Sequence, residues 1–180
     1  MEPRTKSPVL ILPGYGGSGP AHWQSEWECL YPEFHRVEQS DWEHPDLAEW
    51  SARLEEAVAA AVAPPVLVAH SLACLLVAHW ATRMQRVVAA ALLVAPPDPA
   101  QAGFPSVLAS FGLPPRTPLP FPSIVVGSTD DPYAAPAFGP ACAAEWGSEF
   151  ISAGAAGHIN AGSGLGAWPA GLALLRRLTR

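Results

Sequence analysis

Three residue types able to carry nucleophilic catalysis follow apolar runs in this chain: Ser71, the pair Asp130-Asp131, and His158. A serine hydroxyl is a weak nucleophile at its own pKa and needs an adjacent base. A histidine beside it would take its proton and later return it to a leaving group. A carboxylate would fix the imidazole tautomer and stabilise the imidazolium. Together they describe acyl transfer through a covalent acyl-serine.

Such a set works only if the chain positions it. Val66-Leu67-Val68 follows Pro64-Pro65 and reads as a buried parallel strand. From Leu72, the positions Leu75, Leu76, His79 and Trp80 continue at helical spacing. Ser71 therefore stands at the apex of a strand, turn and helix, where free N–H groups favour negative charge. This is the layout of the nucleophile elbow, G-x-S-x-G, with Ala69 and Ala73 in the glycine positions. Read alone, the segment also fits an ordinary serine N-cap. Downstream, Ile124-Val125-Val126 leads into Gly127-Ser128-Thr129-Asp130-Asp131-Pro132, and Phe150-Ile151-Ser152 into Gly154-Ala155-Ala156-Gly157-His158. The order Ser, Asp, His is that expected of α/β-hydrolases. Sixty residues separate Ser71 from Asp131 and twenty-seven separate Asp131 from His158, gaps that suit intervening strand–helix units. In a parallel sheet the carboxyl ends of the strands share one edge, so residues after different strands can meet.

An oxyanion hole would need two backbone donors. One is the N–H of Leu72, after the nucleophile. The other falls in Pro13-Gly14-Tyr15-Gly16-Gly17-Ser18-Gly19, after the strand Val9–Leu12, and Tyr15 N–H is assigned to it. Asp130 and Asp131 cannot both face His158, and the second also reads as a turn residue before Pro132. The residues alone leave that choice open.

The layout alternates strand and helix and predicts a doubly wound, mostly parallel sheet of about six strands with helices on both faces. A helix is expected over roughly 21–30 and a strand over 34–37. Asp46 opens a helix to about Val62, with Glu49 placed as in a capping box and Leu47, Trp50, Leu54, Val58 and Ala61 on its apolar face. Strands are expected over 87–94, 124–126 and 150–152, with further helices near 136–146 and 168–178. The segment 96–122 holds nine prolines and little periodicity. It reads either as a short cap giving apolar walls to an acyl pocket, through Phe104, Phe111, Leu113 and Phe121, or as a stiff surface connection.

Composition narrows the classes. The chain of 180 residues is 49% hydrophobic and carries a net charge of −6, which predicts one domain (1–180) with a sizeable core and no nucleic-acid partner. The apolar run near 87–94 is too short to span a bilayer, and the polar start Met1–Lys6 lacks a signal-peptide core. Cys29, Cys74 and Cys142 are odd in number and widely spaced, as reduced thiols of a cytoplasmic protein would be. Arg176, Arg177 and Arg180 form a basic helix end. His35, His44 and His79 lack partners at ligand spacing, so no metal is expected. His22 is placed near the site, Trp23 as a core anchor, Trp42 beside the first helix, and Asn160 as a cap.

The motifs taken together resemble a family. Pro13-Gly14-Tyr15-Gly16-Gly17-Ser18 with His22-Trp23, Asp41-Trp42 with Pro45, His70-Ser71-Leu72-Ala73, Gly127–Pro132, Gly157-His158-Ile159-Asn160 and Gly164–Pro169 resemble the small serine hydrolases related to retinoblastoma-binding protein 9 and the bacterial YdeN proteins. The resemblance covers nearly the whole chain. It implies a compact α/β-hydrolase fold and a triad on Ser71, Asp131 and His158, the second aspartate corresponding to the catalytic acid. Leu72-Ala73-Cys74-Leu75-Leu76 lacks the acid of the Leu-x-Cys-x-Glu element, so no retinoblastoma-type partner is implied. The expectation is a cofactor-free serine hydrolase of small-acyl carboxylic esters, with thioesters and amides open to the same chemistry. The alternative is a catalytically silent binding module on the same scaffold.

Overall fold

The computed structural model describes residues 7–179. The polar start 1–6 and Arg180 of the basic helix end lie outside the described residues. Six strands form one parallel sheet: β1 (Val9–Leu12), β2 (Phe34–Arg36), β3 (Val66–His70), β4 (Ala90–Val94), β5 (Ser123–Gly127) and β6 (Glu149–Ser152). Their order across the sheet is β2-β1-β3-β4-β5-β6. The helices are α1 (Trp23–Leu30), α2 (Leu47–Ala60), α3 (Leu72–Ala81), α4 (Phe138–Trp146) and α5 (Pro169–Leu178). None of the described helices is long and apolar enough to cross a membrane.

The inner strands β1, β3, β4 and β5 read as near-continuous apolar runs because helices cover both faces, while the edge strands β2 and β6 are more polar and only partly buried. Alternate residues still divide between two cores. Leu10, Leu12, Leu67, Ala69, Leu93 and Val125 meet α2, α3 and α4. Val9, Ile11, Val66, Val68, Leu92 and Val126 meet α1 and α5, where Trp23, Trp27 and Trp168 cluster. The central helix α3 is buried along almost its whole length. That is why its sequence shows an all-round apolar surface instead of a stripe.

Asp46 caps α2 as expected, accepting from the N–H groups of Ala48 and Glu49. The reciprocal half of the capping box differs, because the Glu49 carboxylate instead accepts from the Ser40 hydroxyl. The strand expected from position 87 begins at Ala90, with Val87 left 71% exposed before it. Trp42 packs edge-on against Trp50 of α2, on the opposite face of the sheet from α1. Asp41 and Trp42 follow β2 and turn over the sheet toward α2, and Gly16 N–H bonds to the Trp42 carbonyl there.

The proline-rich segment resolves into two halves. The first lines a cleft above the sheet with Pro97, Asp98, Gln101, Phe104, Pro105 and Leu108. The second belongs to the core: Phe111 is fully buried edge-on to Trp50, and Phe121 is buried. Its backbone is stitched to α4, with Trp146 Nε1 donating to the Pro115 carbonyl and Leu119 N–H to the Trp146 carbonyl. Of the four residues expected as acyl walls, only Phe104 lines the cleft. Phe111 and Phe121 face the core, and Leu113 is exposed.

Candidate active site

The cleft lies at the carboxyl edge of the sheet and has a volume of about 500 Å3. Ser71 stands in it at the junction of β3 and α3, with φ +56° and ψ −125°. A serine is held at such a backbone angle only where its surroundings over-determine it. Here Ser71 N–H bonds to the Val94 carbonyl of β4, and Cys74 N–H begins the helix on the Ser71 carbonyl. Ala69 and Ala73 are fully buried at this junction, so an alanine fits where the motif has glycine. Gly14 closes the elbow from the β1 loop. A Cβ on it would come within 2.9 Å of both the His70 carbonyl oxygen and the Ser71 Cβ.

Ser71 Oγ lies 2.8 Å from His158 Nε2. His158 Nδ1 lies 2.9 and 3.0 Å from the two oxygens of Asp131. A carboxylate only accepts, so the Nδ1 proton points to Asp131 and leaves Nε2 free to accept from the serine hydroxyl. Both side chains of the His158–Asp131 pair are under 10% exposed. Asp131 also accepts from the N–H of Tyr133, whose ring stands edge-on to His158.

Asp130 faces elsewhere. It accepts from the Ser128 hydroxyl and from the N–H of Gly157, each at 2.7 Å. These two bonds hold its carboxyl below the ordinary carboxylate range. Ser128 Oγ in turn receives Ala156 N–H. Asp130 thus ties the loop after β5 to the loop after β6.

Tyr15 and Leu72 both line the cleft beside Ser71. Among the described residues, neither backbone N–H donates to a protein acceptor. Leu72 is the first residue of α3, where such an orphan donor is expected. The Tyr15 loop is held by a bond from Gly17 N–H to the Gly14 carbonyl and by the contact to Trp42.

Several supporting residues escaped the sequence reading. Gln24 on α1 is fully buried and donates from Nε2 to the carbonyls of Leu12 and Val68, while its Oε1 accepts from Ser18 Oγ. It ties the glycine-rich loop to the end of β1 and the middle of β3. A glutamine between two core tryptophans was the available signal, since buried polar groups are almost always bonded. His22 caps α1 through Nδ1 and also lines the cleft. Burial, with the charges of Arg36 and His158 adding, lowers its pKa from 6.5 to about 4. Asn160 caps the short helical turn Ala161–Ser163, and Trp23 is a buried anchor, both as expected. The three cysteines are unpaired, Cys74 and Cys142 being buried. Among the described residues there is no cluster able to hold a metal ion.

A parallel sheet with this strand order and a serine at a strained strand–helix turn defines an α/β-hydrolase. The serine hydrolase family matches residues 9–177, and the chain belongs to it. It is similar to a protein designated a YdeN-like hydrolase from Pectobacterium atrosepticum, with 30% identity over 97% of this chain and 91% of that one, at a TM-score of 0.86. The ydeN gene product of B. subtilis superposes at a TM-score of 0.81 with 20% identity, covering 97% and 98% of the two chains. The type II thioesterase BorB of the borrelidin biosynthetic cluster shares the fold at a TM-score of 0.66, 19% identity, and 99% and 94% coverage. No curated protein matches the chain.

Proposed function

We propose that Ser71, His158 and Asp131 form a catalytic triad that hydrolyses carboxylic esters of small, uncharged acyl groups. The observation that carries this reading is the continuous path from Ser71 Oγ through both ring nitrogens of His158 to Asp131, with every link at 3.0 Å or less. Ser71 Oγ attacks the acyl carbon while His158 Nε2 takes its proton. The tetrahedral oxyanion is held by the N–H groups of Tyr15 and Leu72, with the positive end of α3 behind them. Collapse expels the alkoxide, which takes the proton from His158 and leaves acyl-Ser71. Water, deprotonated by the same nitrogen, then releases the acid and restores the serine.

Size and charge support the substrate class. The cleft has the volume of a small-molecule site. Leu72, Ala102, Phe104, Pro105 and Leu108 supply apolar wall, and among the described residues no lysine or arginine lines it. Asp98 on the wall, and Asp131 behind it on the His158 ring, add negative charge that further disfavours an anionic acyl group. The test is a panel of p-nitrophenyl esters from acetate to dodecanoate, with a hemisuccinate as the anionic member. The expected result is the highest kcat/KM among the short neutral esters. A maximum at dodecanoate or hemisuccinate would overturn the substrate class.

A further inference from the structure

Three consecutive residues, Gly157, His158 and Ile159, each have one backbone group held by a side chain from a different element. Gly157 N–H donates to Asp130 from the loop after β5, at 2.7 Å. The His158 carbonyl lies 2.9 Å from Nε2 of His70, the last residue of β3. The Ile159 carbonyl accepts from Trp23 Nε1 of α1, at 2.8 Å. The peptide is bent here, with Gly157 at φ +55° and Ile159 at φ +48°. Each clamp therefore fixes a part of the loop that local geometry would otherwise leave free to turn.

The middle clamp differs from the other two because His70 is the neighbour of Ser71. Residues 70 and 71 grip His158 from opposite ends, the hydroxyl at its ring Nε2 and the imidazole at its backbone carbonyl. We propose that His70 is a positioning residue that registers the base His158 against the nucleophile Ser71. This rests on the hydrolase reading for its effect on turnover.

The chemistry fits a fixed donor. A carbonyl only accepts, so His70 carries its proton on Nε2. His70 is buried, its ring enclosed edge-to-face by His22 at 4.6 Å and His158 at 5.0 Å between centroids. Burial, with the nearby His22 and His158 adding, drives its pKa well below the ordinary value, so it stays a neutral donor. His22, the next ring outward, is also neutral at pH 7 and accepts Gln24 N–H through Nδ1. The donor and the serine are consecutive residues, so a displacement of the elbow moves both grips together. The distance from Ser71 Oγ to His158 Nε2 is thereby set from the nucleophile's own strand and not only by the loop after β6.

The test compares wild type with His70→Leu, which removes the donor at similar volume, and His70→Gln, whose side-chain N–H can reach the same carbonyl. Turnover of the best ester, melting temperature and the far-downfield proton NMR signal of the His158 Nδ1–H are measured for each. His70→Leu is expected to lower kcat by about 100-fold with KM within about twofold, because small misplacements of reacting groups are costly. It should also shift or broaden the Nδ1–H signal. His70→Gln should recover most of the rate and restore the signal. The proposal is overturned if both variants keep wild-type kcat and signal, or if both lose activity equally in proportion to a fall in melting temperature. If wild type itself turns over no ester, the ester-hydrolase reading fails. The NMR comparison then decides the positioning role alone, and an unmoved signal in His70→Leu rejects it.

Discussion

Asp130 and Asp131 are adjacent, yet their carboxylates hold neighbouring residues of one loop: Asp130 binds the N–H of Gly157 and Asp131 the ring of His158. In the proposed triad the pair divides the work of placing the base and orienting it. Asp131→Asn should lower kcat on the order of 10³–10⁴-fold, since the amide favours the wrong imidazole tautomer. Its melting temperature should move little. Asp130→Asn leaves the His158–Asp131 contact in place, so the expected loss is about tenfold or less, an estimate from the net strength of one charged hydrogen bond. Steady-state turnover of both variants checks the ranking, and equal losses would contradict it.

Gly14 sits where no side chain fits. Its missing Cβ would clash with backbone at His70 and with Ser71 itself. Gly14→Ala should cost about 1–3 kcal/mol through overpacking. It should also displace the Tyr15 N–H from the serine, so turnover falls with stability. Urea unfolding alongside ester turnover measures both. An unchanged variant would mean that the β1 loop does not press on the elbow.

The buried histidines predict a pH dependence of stability. His22 and His70 are neutral in the folded protein because burial lowers their pKa values, His22 from 6.5 to about 4. In the unfolded chain both protonate near 6.5, so the unfolded state binds more protons below that pH. Stability contributed by each ring is complete above about pH 6.5 and is lost progressively as pH falls below it, for His22 down to about pH 4. The slope is at most about 1.4 kcal/mol per pH unit for each ring. His22→Asn keeps an acceptor for the Gln24 N–H and removes one titrating group. The stability difference between pH 7 and pH 5 should shrink accordingly in urea unfolding. An identical difference in the two proteins would contradict the neutral His22.

Phe111 anchors the proline-rich segment. It is fully buried against Trp50, far along the chain from α2. Phe111→Ala should destabilise by about 3–5 kcal/mol, as expected for an aromatic deleted from a core. A loss under about 1 kcal/mol would place the segment outside the cooperative core.

The sequence made the elbow legible because Pro64-Pro65, an apolar run and a helical repeat bracket Ser71 within a few residues. The inner strands β1, β3, β4 and β5 were legible for the same reason, each being a short apolar run beside or near a proline, whereas the edge strands β2 and β6 carry only Phe34 and Phe150-Ile151 as apolar signal. The strand expected at Val87 began three residues late because Val88 is buried in a loop, and apolar character alone does not separate a strand from a buried connection. The proline-rich segment had no period to read, so its division into cleft wall and core anchor came only from contacts with α2 and α4. The roles of Asp130, His70 and Gln24 rest on partners 27, 88 and 44 residues away, and no local pattern encodes such pairings. Trp42, expected beside the first helix, instead packs on Trp50 of α2, and the sequence carries no local signal for which face of the sheet it covers.

The central claim is that Ser71 is an activated nucleophile. Intact-protein mass spectrometry after treatment with a fluorophosphonate, with peptide mapping, tests it most directly in wild type, Ser71→Ala and His158→Ala. The account predicts one adduct on wild type, mapped to Ser71, and none on either variant. An unlabelled but folded wild type, or an adduct that persists in Ser71→Ala, would contradict it.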